Sequence, residues 1–180
     1  RTALPAGQED ARGPAEGVPR KDIPAPLPIG KAEVLRGFAG TGGRRVALFA
    51  LGNMQRVARE AAEQLTAAGC DVALINPRFY KPLDAGCHTF FGQGAEVVAT
   101  LEDHVVTGGY GTAVLELFSE QGIRTPVVRL GWPDQFIEHA STAKHLREKY
   151  GLTAPALCER IQAALALRVG QDTPSLARLG

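Results

Sequence analysis

The sequence predicts an α/β domain of three layers, α/β/α, with a mostly parallel sheet and an irregular linker ahead of it. Four short runs, residues 45–51, 72–75, 96–101 and 126–130, are almost wholly apolar rather than alternating. Strands covered on both faces read this way. Segments of helical character lie between them, the spacing that parallel strands need for their crossovers. Glycine and proline mark the boundaries, one tolerating left-handed backbone and the other unable to continue a helix.

Taken in order, residues 1–28 are rich in Pro, Gly, Ala and charge without periodicity, and read as a linker. Order is expected from Ile29, giving a domain over 29–169 and a frayed tail over 170–180. Residues 31–36 alternate loosely, as an edge strand does, and Gly37, Gly40, Gly42 and Gly43 make a flexible turn. After the run 45–51, Asn53 is placed to cap a helix whose Val57, Ala61, Leu65 and Ala68 share one face. Gly69 stands where a helix end wants left-handed backbone. The run 72–75 is followed by a weaker helix over 85–91. Past the run 96–101, Thr107 or Gly108 opens a helix with Val114, Leu117 and Phe118 on its buried stripe, and Gly122 closes it. After the run 126–130 come helices over 142–150 and 153–169. The last has Thr153 as cap and Pro155 in its first turn.

The 180 residues carry a net charge of +1 with both signs interspersed, which gives no electrostatic case for nucleic acid or an anionic membrane. Hydrophobic content of 44% and charged content of 22% are those of a soluble globular chain. The apolar runs fall far short of the ~20 residues a membrane span needs. No secretory signal opens the chain, and it begins on Arg1, as a piece of a longer protein would. Cys70, Cys87 and Cys158 are odd in number and lack CxxC spacing, so reduced thiols in a cytoplasmic protein are expected rather than a disulfide framework or zinc site.

Three segments carry chemistry-bearing residues. The first, residues 76–84, ends a buried strand with Pro77, Arg78, Lys81, Pro82 and Asp84. Its two prolines make a stiff charged loop at a carboxyl end, where open α/β sheets place functional or interface groups. The second joins Glu102, Asp103 and His104, just past the third apolar run, to Gly108, Gly109 and Gly111. Free amides at that helix start could attract an anion. The glycines equally suit a close approach of the helix to the sheet or to a second subunit, the reading favoured here. His104 could act as general acid or base, but no nucleophile or metal set accompanies it, and an interface role fits better. The third is Leu130-Gly-Trp-Pro-Asp-Gln-Phe-Ile-Glu-His139, where Pro133 sets a turn, Asp134 is placed to bond nearby backbone, and Trp132, Phe136 and Ile137 pack or meet a partner. His139 precedes a helix that Ser141 or Thr142 would cap. His88 and His145 lie on ordinary helical stretches.

In this order, Arg78-Phe-Tyr-Lys-Pro-Leu-Asp84, Glu102-Asp-His-Val-Val-Thr-Gly-Gly-Tyr-Gly111 and the 130–139 segment resemble the C-terminal domain of 1-deoxy-D-xylulose-5-phosphate synthase, a transketolase C-terminal-like domain. Pro28-Ile-Gly-Lys-Ala-Glu-Val-Leu35 resembles that domain's beginning, so the resemblance covers about residues 28–166. It implies a thiamin diphosphate and Mg²⁺ enzyme joining decarboxylated pyruvate to glyceraldehyde 3-phosphate. In that family the diphosphate and Mg²⁺ are held by the N-terminal domain, and the glutamate that activates the thiazolium lies in the middle domain. This chain alone is therefore expected to bind neither and to be inactive, with no catalytic residue of its own. The missing domains of the same enzyme, a second copy in a homodimer and a small phosphorylated substrate are the implied partners. Arg78, Lys81, Asp84, Glu102, Asp103, His104, Gly108, Gly109, Gly111, Trp132, Pro133, Asp134 and His139 are the implied interface or structural residues. Arg12 with Gly13 matches two residues of an Arg-Tyr-Pro-Arg-Gly pattern whose second arginine helps bind the aldehyde's phosphate, although the first Arg, the Tyr and the Pro are absent. A stand-alone binding module and the equivalent domain of a 2-oxoacid dehydrogenase beta subunit are the alternatives.

Overall fold

A computed structural model describes residues 26–139 and 141–171. Its strands are β1 (Glu33–Arg36), β2 (Arg45–Ala50), β3 (Asp71–Asn76), β4 (Val97–Val105) and β5 (Val127–Trp132). Its helices are α1 (Gln55–Ala67), α2 (Ala85–Gly94), α3 (Tyr110–Glu120), α4 (Ala143–Lys149) and α5 (Ala154–Gln171), with one 3-10 turn, Gly52–Met54, ahead of α1. The sheet runs β1-β3-β2-β4-β5. β2 pairs in parallel with β3 and β4, and β4 with β5, while β1 joins the edge antiparallel to β3. The expected mostly parallel sheet and its edge strand are present.

Strand alternation divides the apolar residues between two layers. Val46, Leu48, Ala50, Val72, Leu74, Val97, Ala99 and Leu101 face Val57, Ala61 and Leu65 of α1 and Leu157, Ile161 and Leu165 of α5. Ala47, Phe49, Ala73, Ile75 and Val98 face Phe91 of α2 and Tyr110, Val114 and Phe118 of α3. Leu117, expected on the α3 stripe, is only half-buried, and Tyr110, two turns earlier, joins Val114 and Phe118 there. Gly92 gives way to the Phe118 ring, which lies where a Cβ on α2 would stand, so α2 and α3 pack closely. Gly69 and Gly122 close α1 and α3 with φ of 85° and 65°, as the helix-end reading requires.

Two expectations fail locally. Asn53 does not cap α1, because the 3-10 turn intervenes and Met54 occupies the cap position without a side-chain bond. β4 does not stop at residue 101 but continues to Val105, with its register against β5 shifted between Leu101 and Val105. The caps assigned farther on do form. Thr142 accepts from the His145 amide and Thr153 from that of Ala156. At the opposite end of the sheet Arg44 donates to Glu96 from Nε and Nη2 and to the Leu165 carbonyl from Nη1, which fastens α5 to the start of β4. The stretches read as linker, 1–28, and as frayed tail, 170–180, lie almost wholly outside the described residues.

Ile161 is the test of whether α5 belongs to the core. Its truncation, Ile161→Ala, is expected to cost about 2–5 kcal/mol in chemical denaturation, the range for emptying a buried aliphatic site. Leu167→Ala, at an exposed position on the same helix, should stay within about 0.5 kcal/mol.

Candidate functional site

Chain direction makes one end of this sheet the place for a site. β2 leads by a crossover to β3 on one side, and the chain then returns to β4 on the other. The carboxyl ends of β2 and β4 therefore border the topological switch point, where open α/β sheets leave a crevice. Gly52 and Asn53 follow β2 there, and Glu102 and Asp103 occupy the last turns of β4.

The extension of β4 decides what these residues do. Successive strand residues point to opposite faces, so the adjacent carboxyl groups part company. Glu102 is 2% exposed and accepts from the amides of Tyr110 at 2.6 Å and Gly111 at 2.9 Å. Those are first-turn amides of α3, the ones a bound anion would have used. The anion site that the free amides could have formed is thus filled by the chain's own carboxylate. The reading favoured from the sequence, that glycine permits close approach, is what the geometry requires. A Cβ on Gly109 would land on the Glu102 carboxylate, one on Gly111 would meet Thr100 Oγ1 at 2.5 Å, and one on Gly131 would meet the His104 carbonyl at 2.6 Å. Gly108 turns the chain into α3 at φ 69°.

Asp103, on the other face, gathers three donors from three elements: Asn53 Nδ2 at 2.6 Å, Trp132 Nε1 at 2.7 Å and Arg147 Nη2 at 2.8 Å. Burial alone would raise its pKa, but the Asn53, Trp132 and Arg147 donors outweigh it and hold the carboxyl below the ordinary 3.8. Asn53 serves this knot instead of α1, and Arg147 of α4, which no sequence pattern singled out, completes it. His104 is exposed and its Nδ1 lies 3.1 Å from the Val105 carbonyl. It joins neither carboxyl group, so no acid–base pair forms.

The loop after β3 is also internally fastened. Asp84 Oδ1 accepts from the Cys87 amide to cap α2, and Oδ2 accepts from the Ala32 amide beside β1, both at 3.1 Å. Arg78 adopts φ 59°, its amide donating to Asn76 Oδ1 at 3.1 Å, and its guanidinium pairs with Glu33 at 2.9 Å. Lys81 is exposed over the Tyr80 ring, and the Tyr80 hydroxyl reaches the Gly108 carbonyl at 3.2 Å, joining this loop to the start of α3. In the 130–139 segment the turn is closed by the Gln135 amide donating to the Pro133 carbonyl rather than by Asp134, which is exposed. Glu138 accepts from Lys149 and from the Tyr150 hydroxyl, and Phe136 and His139 face outwards. Arg12 lies outside the described residues. Sequence reasoning passed over His88, which is fully buried and bonded to Tyr110. Its position three residues before Phe91, on one helix face, was the available signal.

Neither arrangement fits a diphosphate or its metal. The α3 amides are taken by Glu102 and the Asp103 oxygens by Asn53, Trp132 and Arg147. Among the described residues no three His, Cys, Asp or Glu side chains gather as metal ligands. An open groove of about 490 Å³ lies elsewhere, between α1, α4 and α5, and touches the cluster only through Arg147.

Two substitutions test this account. Glu102→Ala is expected to lower unfolding free energy by about 2–4 kcal/mol, since it orphans two buried amides, while Glu102→Gln keeps one acceptor and should lose roughly half as much. Asp103→Ala should shift the emission of Trp132, the sole tryptophan, to longer wavelength. Because the folded pKa of Asp103 is depressed, its contribution is present above the ordinary aspartate value and is lost as pH falls through the lower folded one. An acid titration of the wild-type emission should show that change, and the variant should lack it.

Residues 30–157 match the family described as "Transketolase, C-terminal domain". Similar proteins include the 1-deoxy-D-xylulose-5-phosphate synthase of Methylacidiphilum infernorum, 44% identical over 149 residues (83% of this chain, 23% of the relative). That of Symbiobacterium thermophilum is 42% identical over 168 residues (93% and 25%). A solved structure described as "Split gene transketolase, inactive beta4 tetramer" aligns with a TM-score of 0.69 at 37% identity, covering 78% of this chain and 44% of that one. The chain spans about a quarter of the length of the curated relatives it matches. It belongs to the transketolase C-terminal domain family.

Proposed function

We propose that this chain serves as the C-terminal domain of a thiamin-diphosphate-dependent 1-deoxy-D-xylulose-5-phosphate synthase, forming 1-deoxy-D-xylulose 5-phosphate and CO2 from pyruvate and glyceraldehyde 3-phosphate. The observation that carries the division of labour is the self-satisfied switch point. Glu102 and Asp103 are committed to the chain's own amides and side chains, so cofactor and Mg²⁺ belong to the other domains. What remains outward at the carboxyl edge is Tyr80, Lys81, His104, Gly108 and Phe136. Phe136 is wholly exposed, and a large aromatic of this kind is a natural anchor for a partner surface.

In this reading the edge docks against the remaining domains and a second copy, and forms part of the wall of the substrate channel. The assembly of the similar solved protein as a tetramer supports association through this kind of domain. Arg12 would offer its guanidinium to the phosphate of the aldehyde. No helix among the described residues is long and apolar enough to cross a membrane. Free Cys70, Cys87 and Cys158 support a cytoplasmic setting.

Mixing this chain with a protein holding only the first two domains is expected to restore synthesis of 1-deoxy-D-xylulose 5-phosphate. Phe136→Glu should reduce that restoration by tenfold or more (about 1.4 kcal/mol of docking energy) while leaving the domain's own melting temperature unchanged. Arg12→Ala should raise the KM for glyceraldehyde 3-phosphate and spare that for pyruvate. A mixture that stays inactive at saturating concentrations, beside an active intact enzyme, would falsify the reading.

A further inference from the structure

Between α2 and α3 runs an unbroken line of polar contacts that the proposed docking role does not use. It begins at Asp84, whose carboxylate takes the Ala32 and Cys87 amides, with Lys31 Nζ at 3.9 Å. The Asp84 carbonyl lies 2.7 Å from Nδ1 of His88, and Nε2 of that ring lies 2.8 Å from the Tyr110 hydroxyl. His88 is fully buried and stacked on Phe49, 4.6 Å between centroids and 12° between planes. Tyr110, 1% exposed, is the first residue of α3, and its amide is the one Glu102 holds. The line thus ties the lead-in of β1 to α2, to the start of α3 and to β4.

Donor and acceptor roles along it are forced. A carbonyl can only accept, so Nδ1 of His88 carries the hydrogen, and Nε2 of the neutral ring accepts from the Tyr110 hydroxyl. A second proton on the ring would set N–H against O–H. The tyrosine could then accept only by turning its own hydrogen away, and its hydroxyl has no other partner among the described residues. Against the ring lie the carbonyl of Asp84 (the cap of α2), Tyr110 from α3 and apolar Phe49 from β2, with Cys87 next to His88 in the chain, Glu102 of β4 behind Tyr110 and Lys31 beside Asp84. Asp84 favours a charged ring, but its oxygens already serve two amides. Burial is the larger effect and lowers the His88 pKa, against the opposing pull of the Asp84 carbonyl and carboxylate. The Cys87 thiol is pushed up to about 11 and the Tyr110 phenol well above its ordinary value, both chiefly by burial. Of these three, His88 is the one whose ordinary pKa lies near neutrality.

We propose that His88 is an acid-sensitive latch. Its neutral ring pins the first turn of α3 to α2, and its protonation frees that turn together with the Thr107–Gly109 approach. The sign follows from the direction of the shift. An opened state with an ordinary imidazole, near 6.5, binds more protons than the closed state between that value and the lower folded one. The closed state is therefore fully favoured above about 6.5 and loses ground as pH falls, until the lower folded value is passed.

The test uses the full 180-residue chain, hydrogen exchange and imidazole nitrogen resonances. At pH 7.5 the His88 ring should be the Nδ1–H tautomer. Protection of the amides of Tyr110 to Val114, corrected for intrinsic exchange, should fall by up to about tenfold per pH unit below 6.5, the limit for one proton. Ile161 in α5 should show no such step. His88→Phe keeps the stack on Phe49 but removes the acceptor, and should give weak, pH-independent protection of α3. Should that variant fail to fold, Tyr110→Phe asks the same question from the other side and should also flatten the profile. An Nε2–H tautomer, a ring titrating at or above 6.5, or unchanged α3 protection between pH 7.5 and 5.5 would overturn the proposal.

Discussion

The carboxylate of Glu102 under the first turn of α3 is the contact on which the carboxyl end of this domain depends. A helix start buried against a sheet leaves amides that must find acceptors, and an orphaned pair would cost several kcal/mol. Here the strand beneath supplies the acceptor. That supply has steric conditions. α3 must come close enough for Gly109 to lie on the carboxylate, and β5 close enough for Gly131 to lie against its stem. Two glycines around one buried acid are therefore one requirement, not two.

From this contact the character of the whole edge follows. A fold of this class offers two places to an anionic ligand, the helix start and the switch-point crevice. Glu102 closes the first. Asp103, sent to the opposite face by strand alternation, closes the second by collecting Asn53, Trp132 and Arg147. Donors from the turn after β2, the end of β5 and α4 meet on one carboxyl group, so these elements are positioned relative to one another. Both carboxylates are thereby spent on the fold, and Tyr80, Lys81 and Phe136 are among the residues this edge leaves exposed.

Much of the architecture was legible in the residues, and the reasons differ by element. The runs around Val46, Val72, Val98 and Val128 read as strands covered on both sides, because they are short and almost wholly apolar, with Thr100 and Arg129 the exceptions inside them. Gly69 and Gly122 announced helix ends by their tolerance of positive φ, and Thr142 and Thr153 announced helix starts through their hydroxyls. The motif segments could be singled out from the residues, but which of their groups meet could not. Glu102 to His104 read as loop because charged residues rarely sit in a strand, and only the acceptor demand of α3 makes a buried glutamate tolerable there. Asn53 read as a helix cap, a role its side chain fits locally, yet a partner fifty residues away claimed it. His88 read as unremarkable for want of any local signal that Tyr110 would reach it.

Local chemistry in the chain determined the order of strands and helices, their punctuation, the split of apolar residues between two faces, and the family to which the pattern belongs. Those properties depend on backbone sterics and on periodicity within a few residues. Only the tertiary structure decided which polar groups are consumed and which are free. A carboxylate, an amide or an imidazole is satisfied by whatever lies within about 3 Å, and here those neighbours arrive from distant parts of the chain once the sheet has brought β4 beside β2 and β5.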